Sequence, residues 1–207
     1  MNFDQRTTRE MIQAIADTVI GSAGELTELD RAIGDADHGV NLERGFTAVL
    51  AKIDAISARP INDALNEVGR TLILTVGGAS GPLYGKLFAT IGQHLTDPDE
   101  LTKERVVNAC EQAISVLKTL GRSDVGHKTM LDVLVPALDQ LRAADGASSL
   151  SNIGERAHAA ALETVPMIAR RGRASFLGER SRGHMDPGAR SSELIVTAVC
   201  RFLEARL

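Results

Sequence analysis

Between Asp30 and Gly39 the chain reads D-R-A-I-G-D-A-D-H-G, which places three carboxylates, one imidazole and two glycines in ten residues. Closely spaced aspartates offer the hard oxygen ligands that Mg²⁺ or Ca²⁺ prefers, and glycine lets the backbone turn where a side chain would clash. The chemistry indicated is that of a metal and phosphate site. An isolated D-x-D-H-G reads more readily as an ordinary surface turn or helix cap, for which Asp and Gly are the commonest residues. The rest of the sequence has to decide between them.

Three further stretches hold polar or glycine-rich runs between apolar patterns. G-G-A-S-G-P-L-Y-G at 77–85 could bring bare backbone N–H groups to a ligand, with Ser80 adding a hydroxyl, or could be a tight turn where two helices cross. R-S-D-V-G-H-K-T-M at 122–130 ends on Met130, which spacing assigns to the core but whose place at the mouth of a loop leaves it free to cover a flat ring. G-R-A-S-F-L-G-E-R-S-R-G-H-M-D-P-G-A-R at 172–190 is the longest irregular stretch, and its Arg, Gly and aromatic content argues for function rather than disorder.

The elements that must position these stretches read as helices. Thr7 and Glu10 form a capping box before Met11, Ile12, Ile15 and Val19, and Gly21 and Gly24 end that helix. A short apolar step at Leu26 and Leu29 enters the acidic loop. A second helix, from about Asn41, carries Leu42, Phe46, Val49 and Ile53, so its N-terminus abuts His38 and Gly39 and favours an anion there. Pro60 opens a third through Leu72, and T-L-I-L-T-V at 71–76 continues its pattern. Apolar residues Leu87, Phe88 and Ile91 resume after the glycines. Thr102 begins a helix closed by Gly121 in the C′ place, and Thr129 caps the next, through Leu141. After the linker A-A-D-G-A-S-S, Ser151 opens a pattern to Arg171 in which Pro166 predicts a break near Thr164. The last helix starts at Ser191 or Ser192.

Composition agrees with about eight helices and no sheet. Aromatics are 3% with no Trp, so the core is built from Ala, Leu, Ile and Val, which suits close helix packing. An all-α bundle follows, and 207 residues suffice for one domain spanning 1–207. A net charge of −4 without a basic run interleaved with aromatics argues against nucleic acid as a partner. Cys110 and Cys200 read as small core residues of a reducing compartment rather than a disulfide pair. The polar N-terminus suggests no signal peptide, and no apolar run approaches the roughly 20 residues that span a bilayer. A cytoplasmic protein without a membrane partner is expected.

The four stretches together resemble the nucleotide-binding L subunits of the dihydroxyacetone kinases. G-D-A-D-H-G at 34–39, preceded by Asp30, resembles the family's G-D-G-D-H-G, and G-G-A-S-G-P-L-Y-G is similar to its Gly-rich loop. G-H-K-T-M at 126–130 resembles G-D-K-T-M, and S-F-L-G-E-R-S-R-G-H-M-D-P-G-A at 175–189 resembles the final signature. The resemblance implies an eight-helix antiparallel up-and-down barrel holding ADP or ATP at one rim, with two Mg²⁺ ions on Asp30, Asp35 and Asp37. It implies phosphate contacts from His38, Gly39, Val40 and Asn41 and from Ala79 and Ser80, and adenine contacts from Gly121 and Met130. Arg180, Asp186, Pro187 and Gly188 would seal the nucleotide, with Arg180 the catalytic arginine near the phosphates.

In that family the ketose sits on a separate K subunit or domain as a covalent hemiaminal to a histidine, so the resemblance implies half of an enzyme. The donor is either a bound ADP rephosphorylated from phosphoenolpyruvate by a phosphotransferase M subunit, the arrangement that a chain of this length resembles more, or an exchanging ATP. Two positions depart from the pattern: Ala36 replaces a glycine and His127 an acidic residue. A nucleotide-dependent regulatory module is the competing class, and a stand-alone phosphohydrolase fits less well because no residue is clearly placed to activate water. The ketose and the oligomeric state, a homodimer included, stay open.

Overall fold

The computed structural model describes residues 3–95, 101–144 and 149–206. Among these residues there are ten α-helices, one 3₁₀ segment and no strand. Eight helices of 13 to 19 residues form the body: α1 (Gln5–Gly21), α3 (His38–Leu50), α5 (Ile61–Thr75), α6 (Ser80–His94), α7 (Lys103–Gly121), α8 (Leu131–Ala143), α9 (Ser149–Glu163) and α10 (Pro187–Glu204). Two short ones, α2 (Ala23–Ile33) and α4 (Ile53–Ser57), are inserted at the turns, and the 3₁₀ segment covers Arg173–Ser181.

Each of the eight long helices packs against the next, and α10 returns to α1, so the ring closes. Its interior is aliphatic: Ile15, Val19, Leu42, Leu72, Leu117 and Leu131 are almost wholly buried, with Phe46 and Phe88 meeting edge to face. A second cluster of Ala157, Ala160 and Ala161 with Val133 and Ala189 lets α8, α9 and α10 approach closely. Among the described residues no helix is long and apolar enough to cross a membrane.

Several boundaries differ from the sequence expectation, each for a local reason. Helix α1 begins at Gln5 because Asp4 caps it, accepting the Thr7 amide at 2.7 Å. Glu10 instead pairs with Arg6 and Arg206. The apolar step at Leu26 is a full helix, α2, with Gly24 inside it and Asp30 on its last turn. Helix α3 starts at His38 rather than Asn41, and Ile53 belongs to α4. Only Gly77 to Ala79 remain as a loop, because α6 already begins at Ser80. Its Gly85, facing Gly69 of α5, serves packing: a Cβ on Gly69 would lie 2.4 Å from the Gly85 carbonyl oxygen.

Gly121 is the last residue of α7, and Arg122 takes the left-handed turn at φ 46°. Thr129 does not act alone at α8, where the buried Asp132 carboxylate accepts the amides of Gly126 at 2.6 Å and Thr129 at 2.7 Å. Helix α9 begins at Ser149 and ends at Glu163, next to the break expected before Pro166. Most of the expected linker, 145–148, lies outside the described residues. The last helix begins four residues early, at Pro187, since Asp186 caps it by accepting the Ala189 amide at 2.7 Å.

Candidate nucleotide and metal site

The acidic motif is split between a helix end and a turn. Asp30, buried on the last turn of α2, turns its carboxylate toward the incoming start of α3 and accepts the amides of Asp37 at 2.8 Å and His38 at 3.2 Å. The tight turn between needs Ala36 at φ 61°, the left-handed region where the family pattern has glycine. Asp35 and Asp37 stay solvent-accessible, and carboxylate oxygens of Asp30, Asp35 and Asp37 all lie within 4.8 Å of one another. Three hard oxygen donors at that spacing, one fixed by backbone N–H groups, fit Mg²⁺ and offer nothing to a soft metal. Arg173 reaches across from the 3₁₀ segment, its Nε 2.9 Å from Asp35 Oδ2.

Four helix N-termini converge beside these carboxylates: those of α3, α6, α8 and α10. Their dipoles favour an anion at that place. His38 ties three of them together, its Nδ1 3.0 Å from Ser80 Oγ and its Nε2 2.9 Å from Ser191 Oγ. Ser191 continues to the Tyr84 hydroxyl at 2.6 Å, which donates to the Gly188 carbonyl at 3.1 Å. Burial pushes the His38 pKa down, against the pull of Asp30 and Asp37, and burial lifts the Tyr84 phenol to about 12. A neutral imidazole suits a bridge in which one ring nitrogen donates and the other accepts. Gly39 is required by packing, since a Cβ there would lie 2.0 Å from the Ala23 carbonyl oxygen.

The convergence leaves a cleft of about 260 Å³. Of the residues singled out in the sequence, its wall includes Asp30, Asp35, Asp37, His38, Ala79, Ser80, Gly121, Met130, Asp186, Pro187 and Gly188. Four others do not line it. Gly39 and Val40 lie on the first turn of α3 away from the wall, and Asn41 is buried with its side-chain oxygen accepting from Arg44 at 2.7 Å. Arg180 is exposed on the 3₁₀ segment, and the arginines of that stretch that do reach the wall are Arg171 and Arg173. A larger cavity of about 490 Å³, against α1, α9 and α10, contains nothing of the four stretches except Arg190, the last residue of 172–190. His127 takes the role of a turn acceptor, its Nδ1 receiving the Asp124 amide at 3.1 Å.

Residues 32–201 match the model of the DAK2 domain. The chain belongs to this family. It is 43% identical over 171 residues, 80% of this chain and 81% of the relative, to the ADP-binding subunit DhaL of the PEP-dependent dihydroxyacetone kinase of Escherichia coli (strain K12). It is 36% identical over 186 residues, 90% and 91% of the two chains, to the ADP-binding subunit DhaL of the PTS-dependent dihydroxyacetone kinase of Lactococcus lactis subsp. lactis (strain IL1403). The native dihydroxyacetone kinase of C. freundii superposes with a TM-score of 0.75 at 25% identity, over 94% of this chain and 34% of that one. The DAK2 chain described here therefore spans about a third of that kinase.

Sequence reasoning missed Lys128, Asp132, Arg173, Tyr84 and Ser191 of this DAK2 domain. Lys128, Asp132, Tyr84 and Arg173 lay inside or beside the quoted motifs but carried no spacing signal of their own. Ser191 was placed only as a helix start, and its link to His38 spans 153 positions.

Proposed function

We propose that this chain is the nucleotide-binding phosphotransferase subunit of a dihydroxyacetone-type ketose kinase. It holds ADP or ATP with two Mg²⁺ ions and delivers a phosphoryl group to a terminal hydroxyl of a ketose bound on a separate K subunit. Recharging would run from phosphoenolpyruvate through an M subunit; the names of the two relatives, one PEP-dependent and one PTS-dependent, support the phosphoenolpyruvate source. The observation that carries the reading is the triad of Asp30, Asp35 and Asp37 at the meeting point of four helix N-termini.

Each part of the cleft has a task in that chemistry. Asp30 is held rigidly by two backbone amides and keeps the turn in shape, while Asp35, paired with Arg173, and Asp37 present solvent-accessible carboxylates. Mg²⁺, when bound there, supplies the positive charge that separates carboxylates from phosphate oxygens. The start of α6, with Ser80, receives phosphate, and His38 holds the starts of α3 and α6 in register. Gly121 and Met130 flank the base, and Asp186 to Gly188 close the cleft at the start of α10. Arg171 and Arg173, rather than the exposed Arg180, are the arginines at the cleft wall, and Arg173 ties the 3₁₀ segment to Asp35. Phosphoryl transfer passes through a loose transition state, so positioning and charge neutralisation account for most of the catalysis.

The test is the double variant Asp35→Asn, Asp37→Asn. Calorimetric titration with ADP is expected to show Mg²⁺-dependent binding in the wild type and none in the variant, with ligand-free thermal unfolding preserved. Equal Mg²⁺-dependent affinity in both would sink the reading. Transfer of label from a phosphorylated M subunit, or from ATP, to dihydroxyacetone in the presence of a K subunit separates the enzyme from a nucleotide-dependent regulatory module.

A further inference from the structure

Residues 164–186 form a strap whose ends are drawn together. The Gly183 amide donates to the Val165 carbonyl at 2.8 Å, and the Asp186 amide donates to Thr164 Oγ1 at 3.1 Å. Inside the neck, the Ala169 amide donates to Ser181 Oγ at 2.9 Å. Ala169 and Ala174 pack the strap on Ile33 of α2, and beyond the neck Arg171 and Arg173 reach the cleft, where Arg173 meets Asp35.

Lys128 lies in the centre of the neck. It is 1% exposed, and its ammonium donates to the carbonyls of Met167 at 3.1 Å, Ser181 at 2.7 Å and His184 at 2.5 Å. Those carbonyls belong to both limbs of the strap. An ammonium has three N–H donors, so all three are spent on the strap and none is left for a phosphate. The backbone is bent to allow it: Lys128 adopts φ +61°, which side chains rarely take. The adjoining His127 carbonyl accepts the Arg170 amide at 3.1 Å, which fastens the same limb a second time.

We infer that Lys128 is a positioning residue of the transfer reaction: it clamps both limbs of the 164–186 strap and so fixes the strap's arginines over the metal and phosphate end of the cleft. The inference rests on the nucleotide reading above. Lys128 borders the cleft, but its three N–H donors are committed to the strap carbonyls, so its effect reaches the site through Arg173 and the strap. Loss of the ammonium leaves three carbonyls at the neck without their donor, and the strap then opens independently of the barrel.

The experiment uses the full chain, with hydrogen exchange on the ligand-free protein and stopped-flow release of Mg²⁺-bound mant-ADP. Lys128→Met is expected to speed exchange of amides 165–184 about tenfold, leave exchange in α1 and α3 unchanged and speed nucleotide release about tenfold. Lys128→Ala removes the equivalent of a propylammonium group, so added n-propylammonium should restore slow release while tetramethylammonium at equal ionic strength should not. If Lys128→Met does not fold, Lys128→Gln, which keeps two N–H donors, takes its place with the same readouts. Unchanged strap exchange, or a loosened strap with wild-type release, overturns the role of Lys128 alone. A wild-type protein that binds no mant-ADP with Mg²⁺ overturns the nucleotide reading together with it.

Discussion

Two buried titratable residues give the cleft opposite responses to pH. Asp186, at the cap of α10, is pushed from 3.8 to about 7, chiefly by burial, with the neighbouring Asp132 adding to the shift and the Ala189 amide and Lys128 opposing it. Between about pH 4 and 7 the folded chain keeps a proton that the unfolded chain has released, so this group's contribution to stability falls as pH rises. His38 does the reverse: its lowered pKa means the unfolded chain binds the proton first, and stability is lost as pH drops below the ordinary histidine range. Asp186→Asn keeps a capping oxygen and cannot titrate. The wild-type stability minus that of the variant, from urea unfolding, is expected to fall by on the order of 1–3 kcal/mol between pH 4 and 7. A flat difference would show that Asp186 is ionised in the folded protein throughout. Ala36 belongs to the same scale, since its departure from the family's glycine leaves the turn in place at a cost of about 1 kcal/mol.

At the scale of elements, the pairing of α5 with α6 sets where the glycine loop sits relative to α3. Gly69 and Gly85 let the two backbones meet, and a Cβ on Gly69 would also lie 2.6 Å from the Ala89 amide nitrogen. Neither atom is the end of a flexible side chain, so the helices themselves must part. Gly69→Ala should therefore destabilise the fold by about 1–3 kcal/mol despite its better helix propensity, read as a lower urea midpoint with unchanged slope. The glycines in 77–85 were legible as a site for close backbone approach, yet their division into a three-residue loop and a packing surface was not. Sequence spacing cannot say which neighbour a glycine faces. The helix starts at Gln5 and Pro187 were missed for a related reason: a capping aspartate is recognised by where its side chain points, and Thr7 and Ser191 offered equally good patterns. The start of α3 at His38 depends instead on Asp30, seven to eight positions upstream, accepting its opening amides.

At the scale of the molecule, the ring has one chemically marked rim. Among the described residues, the large exposed apolar side chains are Val40, Ile73, Leu74, Leu120, Val125, Leu162 and Phe176. All lie in a first or last helical turn at that rim, in the 122–130 loop or in the strap. Phe176 is 88% and Leu74 77% exposed, a cost to a free surface that a covering partner would remove. Under the proposed function this rim meets the K subunit, because the acceptor hydroxyl has to reach the same cleft. Phe176→Asp should lower phosphoryl transfer in the reconstituted kinase at limiting K subunit while ADP affinity in calorimetry stays at the wild-type value. Equal transfer at every K subunit concentration would remove Phe176 from the interface.

The sequence by itself determined the helical class, the break at Pro166, the caps at Pro60 and Thr102, and the four motifs that carry the family, because periodicity, proline and short-range spacing are local properties. Only the tertiary structure decided which motif residues share a wall. It placed Arg173 rather than Arg180 beside Asp35, put Lys128 in the neck of the strap and joined His38 to Ser191. Those contacts join residues tens to more than a hundred positions apart, and they exist only once the ring of helices has closed and brought four N-termini to one place.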